Sequence, residues 1–167
     1  MAARKASAEE WAEYLALYQQ LSEQLARQPW FAGGWETRFD YLNRDNPRGV
    51  WLQLVRQKWF DGAIHLETWI NNTVLQNEAA PVVLHVETSM AKHGLSRNDF
   101  SRLFLERSGD LIQSWNGYTL KPHYAMEPFS TRVPFTRETL VSALETELSR
   151  LHQLGTVIDQ TIDDVKR

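Results

Sequence analysis

The chain has 167 residues, of which 43% are apolar and 23% charged, so we expect residues 1–167 to fold as a single globular domain. It contains no cysteine, which excludes disulfides, thiolate nucleophiles, zinc ribbons and iron–sulfur clusters. Its net charge of −3 supplies no global positive field, so nucleic-acid binding would need a local basic patch.

The N-terminal part of the chain predicts one helix followed by three strands. Ser7 and Glu10 match a capping box, and the apolar residues after them recur at helical spacing until Pro29. The alternation of apolar and polar residues that follows is typical of half-buried strands, and Asp61-Gly62 is a hairpin turn signal. These strands are predicted at Trp35–Leu42, Val50–Trp59 and Ala63–Ile70.

Two further strands and a second helix are predicted in the middle of the chain. A fourth strand is expected at Val82–Thr88, after a polar loop. The second helix opens near Ser96, which resembles the start of a capping box, and ends at Gly117. The segment Tyr118–Met126 predicts an edge strand, because Pro122 cannot donate to a central ladder.

The last predicted helix opens at Thr136 and has apolar residues three and four apart almost to the C-terminus, interrupted only by Gly155. At 1.5 Å per residue, its nearly thirty residues would extend roughly 40–45 Å. Because this is longer than a domain of this size needs, the end of the helix either covers its own sheet or packs on a second copy. We predict a homodimer that forms through it, with a helix that wraps its own domain and frays after Gly155 as the alternative.

The predicted order α-β-β-β-β-α-β-α indicates an α+β fold. Consecutive strands joined by hairpins and short loops predict an antiparallel sheet of about five strands, with the helices packed on one face. One face of that sheet could therefore remain open to a ligand or a partner.

The first residues, MAARKASAEEWAEY, run into Glu and Trp instead of an apolar segment, so no signal peptide is expected. No apolar run approaches the roughly 20 residues that cross a bilayer. We therefore expect a soluble cytoplasmic protein that does not insert into a membrane.

Two short segments, IHLETWI and LHVETSM, share a His-x-Glu step. In a strand, residues two apart lie on the same face. His65, Glu67 and Trp69 are therefore predicted on the face opposite the core, and so are His85 and Glu87. A register that pairs residue 65 with 87 and residue 67 with 85 would place each histidine opposite a glutamate.

This arrangement has three interpretations. It can be a set of cross-strand polar contacts, a divalent metal site, or an acid–base site. Residues 59–91 contain four acidic residues and no Lys or Arg, which favours a cation. Mid-strand pairs of this kind are nevertheless common on solvated sheet faces. We therefore favour the structural interpretation, predict no cofactor, and keep His65, Glu67, His85 and Glu87 as metal candidates.

Tryptophans suggest a second feature of the same region. Trp51 and Trp59 share one face of their predicted strand, and Trp69 lies beside Glu67. If the two faces coincide, the three rings form a polar-aromatic platform suited to stacking a base, a sugar or a peptide.

The start of the second helix is a candidate anion site. The segment AKHGLSRND places cationic side chains where backbone N–H groups and the helix dipole favour negative charge. The candidate residues are Lys92, His93, Ser96, Arg97 and Arg102.

These features lead to one function and two alternatives. The leading prediction is a non-catalytic binding domain that presents its Trp-, His- and Glu-bearing face to a small molecule, a peptide or a partner protein. One alternative is a metal-assisted hydrolase that uses the paired strands. The other is a nucleic-acid accessory module that uses the anion site. P-loop, Rossmann, serine-hydrolase and zinc-protease motifs are absent, and no motif identifies a family.

Overall fold

A computed structural model describes residues 3–166, which form six strands and five α-helices. The strands are β1 (Trp35–Tyr41), β2 (Gly49–Arg56), β3 (Ile64–Asn71), β4 (Ala79–Val86), β5 (Thr119–Leu120) and β6 (Phe129–Pro134). The helices are α1 (Ala8–Ala26), α2 (Asn72–Asn77), α3 (Arg97–Ser114), α4 (Leu140–Leu151) and α5 (Gly155–Val165). This confirms the predicted α+β class. Within residues 3–166, none of the helices combines the length and the apolar character needed to span a membrane.

The strands form one antiparallel sheet in the order β1-β2-β3-β4-β6-β5. Leu54, Leu66 and Leu84 lie side by side across β2, β3 and β4, and all three are fully buried. Helix α1 packs on this side against β1 and β2, and α4 packs against α1 and β6. We call this side the inner face; the opposite side, which carries Glu67, is the outer face.

Both helix starts predicted from capping residues are confirmed. Ser7 Oγ accepts a hydrogen bond from the Glu10 N–H, and the Glu10 carboxylate accepts one from the Ser7 N–H. Ser96 Oγ accepts in the same way from the Asp99 N–H, at 3.2 Å. These bonds satisfy backbone donors that a helix leaves without partners at its N-terminus.

The segment predicted as a polar loop between β3 and β4 contains the short helix α2, so that prediction is wrong. The Asn71 side chain caps α2 by accepting from the Val74 N–H at 2.9 Å. Glu78 then ends α2 in the left-handed conformation, with φ of 50°. This compact connection returns the chain directly into β4 and so fixes how β3 and β4 pair.

The predicted strand Tyr118–Met126 is also wrong in extent. Only Thr119–Leu120 is a strand, because the following residues turn: the Tyr124 N–H donates to the Lys121 carbonyl at 3.1 Å. The chain then enters β6, which was not predicted and which pairs with β4 and β5. The sheet therefore has six strands instead of about five.

The last helix is divided into α4 and α5 by a 3₁₀ turn at His152–Leu154, and its first part begins at Leu140 instead of Thr136. At the start of α5 the backbone passes close to the sheet, because a Cβ on Gly155 would lie 2.7 Å from the Trp35 ring. The two parts have different neighbours: α4 packs on α1 and α5 packs on α3.

The apolar stripe along α4 and α5 is buried inside the chain itself. This removes the apolar surface from which the homodimer was predicted. The buried residues of the stripe are Leu140, Leu144, Leu148, Leu151, Leu154, Ile158 and Ile162.

Candidate functional site

The outer face brings together most of the residues predicted for a site. Trp51 on β2 pairs with Trp69 on β3, and both rings are half-buried. The faces of these two tryptophans therefore coincide, as the platform required. His65 on β3 pairs with His85 on β4, and Glu67 lies two residues along on the same face.

The predicted register between these strands is wrong. His65 lies opposite His85, not opposite Glu87, and Glu67 lies opposite Val83. The predicted and observed registers differ by two residues, which leaves every side chain on its own face. The alternating pattern cannot distinguish them, whereas the connection through α2 does.

Three side chains from β3 and β4 converge on one point. His65 Nε2 lies 3.2 Å from His85 Nδ1, and Glu67 Oε2 lies 3.5 Å from each of these nitrogens. Within residues 3–166, these three side chains form a group whose possible ligand atoms all lie within 4.8 Å of one another, close enough to share a metal ion. We call His65, Glu67 and His85 the outer-face triangle.

The ring of His65 is held in one orientation. It is 1% exposed, and its Nδ1 lies 2.7 Å from the Gly62 carbonyl oxygen. A carbonyl only accepts hydrogen bonds, so Nδ1 carries the proton. In the neutral ring, Nε2 then presents its lone pair to the centre of the triangle.

The charges in the triangle influence one another's pKa values. Burial alone would raise the pKa of Glu67, but hydrogen bonds and positive charge from His65 and His85 outweigh it and lower the pKa of Glu67 to about 2. The hydrogen bond to Glu67, with the nearby carboxylate of Glu87, raises the pKa of His85 above its ordinary value although partial burial opposes this. The carboxylate of Glu67 is therefore ionised at neutral pH.

Glu87 lies at the rim of the triangle. Its carboxylate is 3.4 Å from His85 Nδ1, and its side chain is 41% exposed. It is not among the side chains whose ligand atoms all lie within 4.8 Å of one another. Glu87 therefore faces solvent beside the three-residue site.

Trp59 does not belong to the platform, and that part of the prediction is wrong. Strand β2 ends at Arg56, so its alternation does not continue to residue 59. Trp59 is fully buried, and its Nε1–H donates to Asp159 on α5 at 2.8 Å. Its ring also packs edge-on against Trp35, so its role is in the core.

The candidate anion residues do not converge on one point. Ser96 uses its hydroxyl as the α3 cap, and His93 stacks on Phe60 at 4.5 Å. Arg97 lines a hollow beside the start of α3, whereas Arg102 lines a separate one with His123 and pairs with Glu106. Lys92 is exposed on the preceding 3₁₀ turn. Anion binding by these residues stays a prediction.

A small cavity adjoins the triangle on the outer face. Its volume is about 130 Å³, and its walls come from β3, β4, β6 and the turn after β5. The lining residues are Trp69, Pro81, Val83, Lys121, Glu127, Ser130, Thr131 and Arg132. The contribution of Lys121 and Arg132 was missed, because the alternation of Phe129, Thr131 and Val133 that indicates β6 was not recognised.

The pKa shifts predict how the free energy of unfolding depends on pH in the metal-free protein. Because the pKa of Glu67 is lowered from 4.5 to about 2, its stabilisation is complete above its unfolded pKa and is lost as the pH falls toward 2. Because the pKa of His85 is raised, its stabilisation is complete below 6.5 and is lost as the pH rises through its folded value. We expect Glu67→Gln to destabilise the protein most near about pH 5–6, by up to about 3 kcal/mol.

Urea unfolding of both proteins in the presence of a chelator, at about pH 3, 5.5 and 9, measures this difference. A Glu67→Gln effect that stays constant across the three pH values would contradict the coupling within the triangle.

Comparison with protein-family models, curated proteins and solved structures finds no match for this chain. Its function is therefore argued from the geometry of the outer-face triangle and its surroundings.

Proposed function

We propose that this protein is a metal-dependent binding domain. A divalent ion of the zinc class is held by His65 Nε2, Glu67 Oε2 and His85 Nδ1, and the ligand binds at the remaining coordination position on the outer face. The observation that carries this proposal is the size of the triangle, whose edges are 3.2, 3.5 and 3.5 Å.

These edges match a tetrahedral ion. Zinc bonds to His nitrogen and carboxylate oxygen are about 2.0–2.1 Å long, so a tetrahedral ion holds its ligand atoms about 3.3–3.4 Å apart. Coordination therefore needs little movement of the three side chains. Because two of the three atoms are imidazole nitrogens, the set favours zinc, copper, nickel or iron over magnesium and calcium, which prefer oxygen.

Two further features support metal binding. The Gly62 carbonyl holds His65 with its Nε2 lone pair toward the triangle, which is the arrangement that outer-shell partners give to metal-ligating histidines. Glu67 is already ionised at neutral pH, since its pKa is about 2, so it loses no proton when an ion binds.

The number of ligands favours binding over a purely structural role. Structural zinc sites are closed by four protein ligands, whereas catalytic sites keep the fourth position open for water or substrate. The triangle supplies three ligand atoms, and Glu87 stands outside it. Trp51 and Trp69 flank the site on the same face and provide apolar surface for the bound molecule.

We expect metal-free protein to bind one zinc ion per chain. Binding at 100 times the dissociation constant adds about 2.7 kcal/mol to the free energy of unfolding, which corresponds to a rise in Tm of about 5–10 °C. Dialysis with elemental analysis gives the stoichiometry, and thermal unfolding with and without zinc gives the shift.

The matched variants are His85→Ala and His123→Ala. His85→Ala removes one corner of the triangle and should abolish both the bound zinc and the Tm shift. His123 is exposed on the turn after β5, so His123→Ala should leave both unchanged. Wild-type protein without bound zinc, or equal zinc binding by the two variants, would overturn the proposal.

The other functional predictions remain proposals beside this one. Metal-assisted hydrolysis is the nearest alternative, because Glu87 lies 3.4 Å from His85 Nδ1 at the rim of the triangle and would be available to accept a proton from a water on a bound ion. A homodimer, a protein partner, a nucleic-acid role and a cytoplasmic location rest on the sequence alone. Self-association would have to use a surface other than the buried stripe of α4 and α5.

A further inference from the structure

We infer that the bound molecule is a small dianion of the dicarboxylate class. One acidic group would complete the coordination of the metal ion, and the second would lie against Arg132 in the adjoining cavity. This inference rests on the proposed metal site and adds the chemistry of its ligand.

The cavity and the triangle are contiguous. Val83 on β4 pairs with Glu67 on one side and with Ser130 on the other. It therefore lies between the triangle and the cavity. Trp69 lies two residues beyond Glu67 on β3 and forms a wall of the cavity. A molecule bound to the metal ion therefore meets the cavity on the same face, without passing over a strand edge.

Two positive centres are available for two acidic groups. A divalent ion with the Glu67 carboxylate has a net charge of +1 when both histidines bind as neutral ligands, and the exposed Glu87 carboxylate at the rim offsets part of this charge. The second positive centre is Arg132, which is exposed and forms no ion pair within residues 3–166. Lys121, in contrast, is already neutralised by Glu127. Planar guanidinium groups such as that of Arg132 bind carboxylates through paired hydrogen bonds.

The size of the cavity limits the ligand. A volume of about 130 Å³ corresponds to about four waters at about 30 Å³ each, so the cavity admits an acidic group with a short chain but not a nucleotide. Its apolar walls, Trp69, Pro81 and Val83, suit methylene groups. The ligand that fits is therefore short and aliphatic between its acidic ends.

The spacing predicts the chain length. The cavity lies about one strand across from the triangle and two residues along it, a separation of about 7–10 Å. A metal–oxygen bond of about 2 Å and a hydrogen bond of about 2.9 Å take up part of this. Subtracting both lengths leaves about 2–5 Å between the two acidic groups, a range that includes succinate and glutarate.

The test is calorimetric titration of zinc-loaded protein with acetate, succinate, glutarate and adipate at one ionic strength. We expect succinate or glutarate to bind about tenfold tighter than acetate. Arg132→Ala should reduce dicarboxylate affinity to the acetate level, and Arg132→Lys should restore part of it. Arg44→Ala removes an exposed cation that follows β1 and serves as the control, with affinities like those of the wild type.

Each other result overturns the inference. Equal affinity for acetate and the dicarboxylates would exclude a second anion subsite, and dicarboxylate binding that survives Arg132→Ala or zinc removal would exclude the proposed geometry. Zinc titration of the same preparations separates this from failure of the proposed function. If zinc binds but the dicarboxylates show no preference, only the ligand class is wrong; if zinc does not bind, the metal site itself is wrong.

Discussion

Cobalt added to the metal-free protein is expected to give the intense visible absorption of a tetrahedral ion, and Glu67→Gln is expected to lose it. Glutamine has nearly the shape of glutamate but no charge, so the variant keeps the packing of β3 and removes the anionic corner of the triangle. We expect the affinity for cobalt and zinc to fall at least about 100-fold, more than the loss typical of outer-shell changes. Visible absorption during a cobalt titration measures geometry and affinity together.

The control for this prediction is Glu87→Gln. Glu87 contacts His85 but lies outside the triangle, so its amide variant should keep the tetrahedral bands and bind cobalt with affinity near that of the wild type. Weak bands typical of six-coordinate cobalt in the wild type would contradict the tetrahedral geometry. Equal loss of the bands in both variants would place Glu87 in the coordination shell and close the site.

Trp59→Ala is expected to lower the free energy of unfolding by about 3–5 kcal/mol. Trp59 is fully buried between β2 and β3, packs against Trp35, and donates to Asp159. The smaller change Trp59→Phe keeps most of the ring but leaves the Asp159 carboxylate with one donor fewer, for which we expect about 1–3 kcal/mol. Urea unfolding measures both.

Trp51→Ala is the matched comparison, because Trp51 is half-buried on the outer face. We expect it to cost clearly less stability than Trp59→Ala, since less apolar surface is lost. Trp59→Phe should also leave zinc affinity unchanged. A weaker zinc affinity in that variant would show that Trp59 supports the site, contrary to its position in the core.

Local signals in the sequence predicted much of this fold. The capping residues Ser7 and Ser96 located two helices, because a hydroxyl that satisfies free N–H groups acts within one turn. Alternation assigned the outer face of β3 and β4 correctly, because the side-chain period of a strand does not depend on its neighbours. His65, Glu67 and His85 were therefore expected on one face before any pairing was known.

Long-range relations could not be predicted in the same way. The extent of β2 was overestimated because Trp59 continues the alternation, although tertiary packing turns its ring into the core. Strand β6 was missed although Phe129, Thr131 and Val133 alternate with more exposed residues; its pairing with β4 is the part that local pattern does not supply. The register of β3 and β4 depends on α2, whose cap at Asn71 lay in a segment predicted to be a loop. The predicted contacts between the side chains of β3 and β4 were wrong for the same reason.

The pairing of His65 with His85 has a consequence for folding. Because the two His-x-Glu segments repeat the same pattern, a slip of two residues would keep every apolar side chain on the inner face and cost little burial. The pairing with His65 opposite His85 brings two imidazoles and a carboxylate to within 3.5 Å of one another. A metal ion bound at the triangle would therefore add its binding free energy to the register that the connection through α2 already sets.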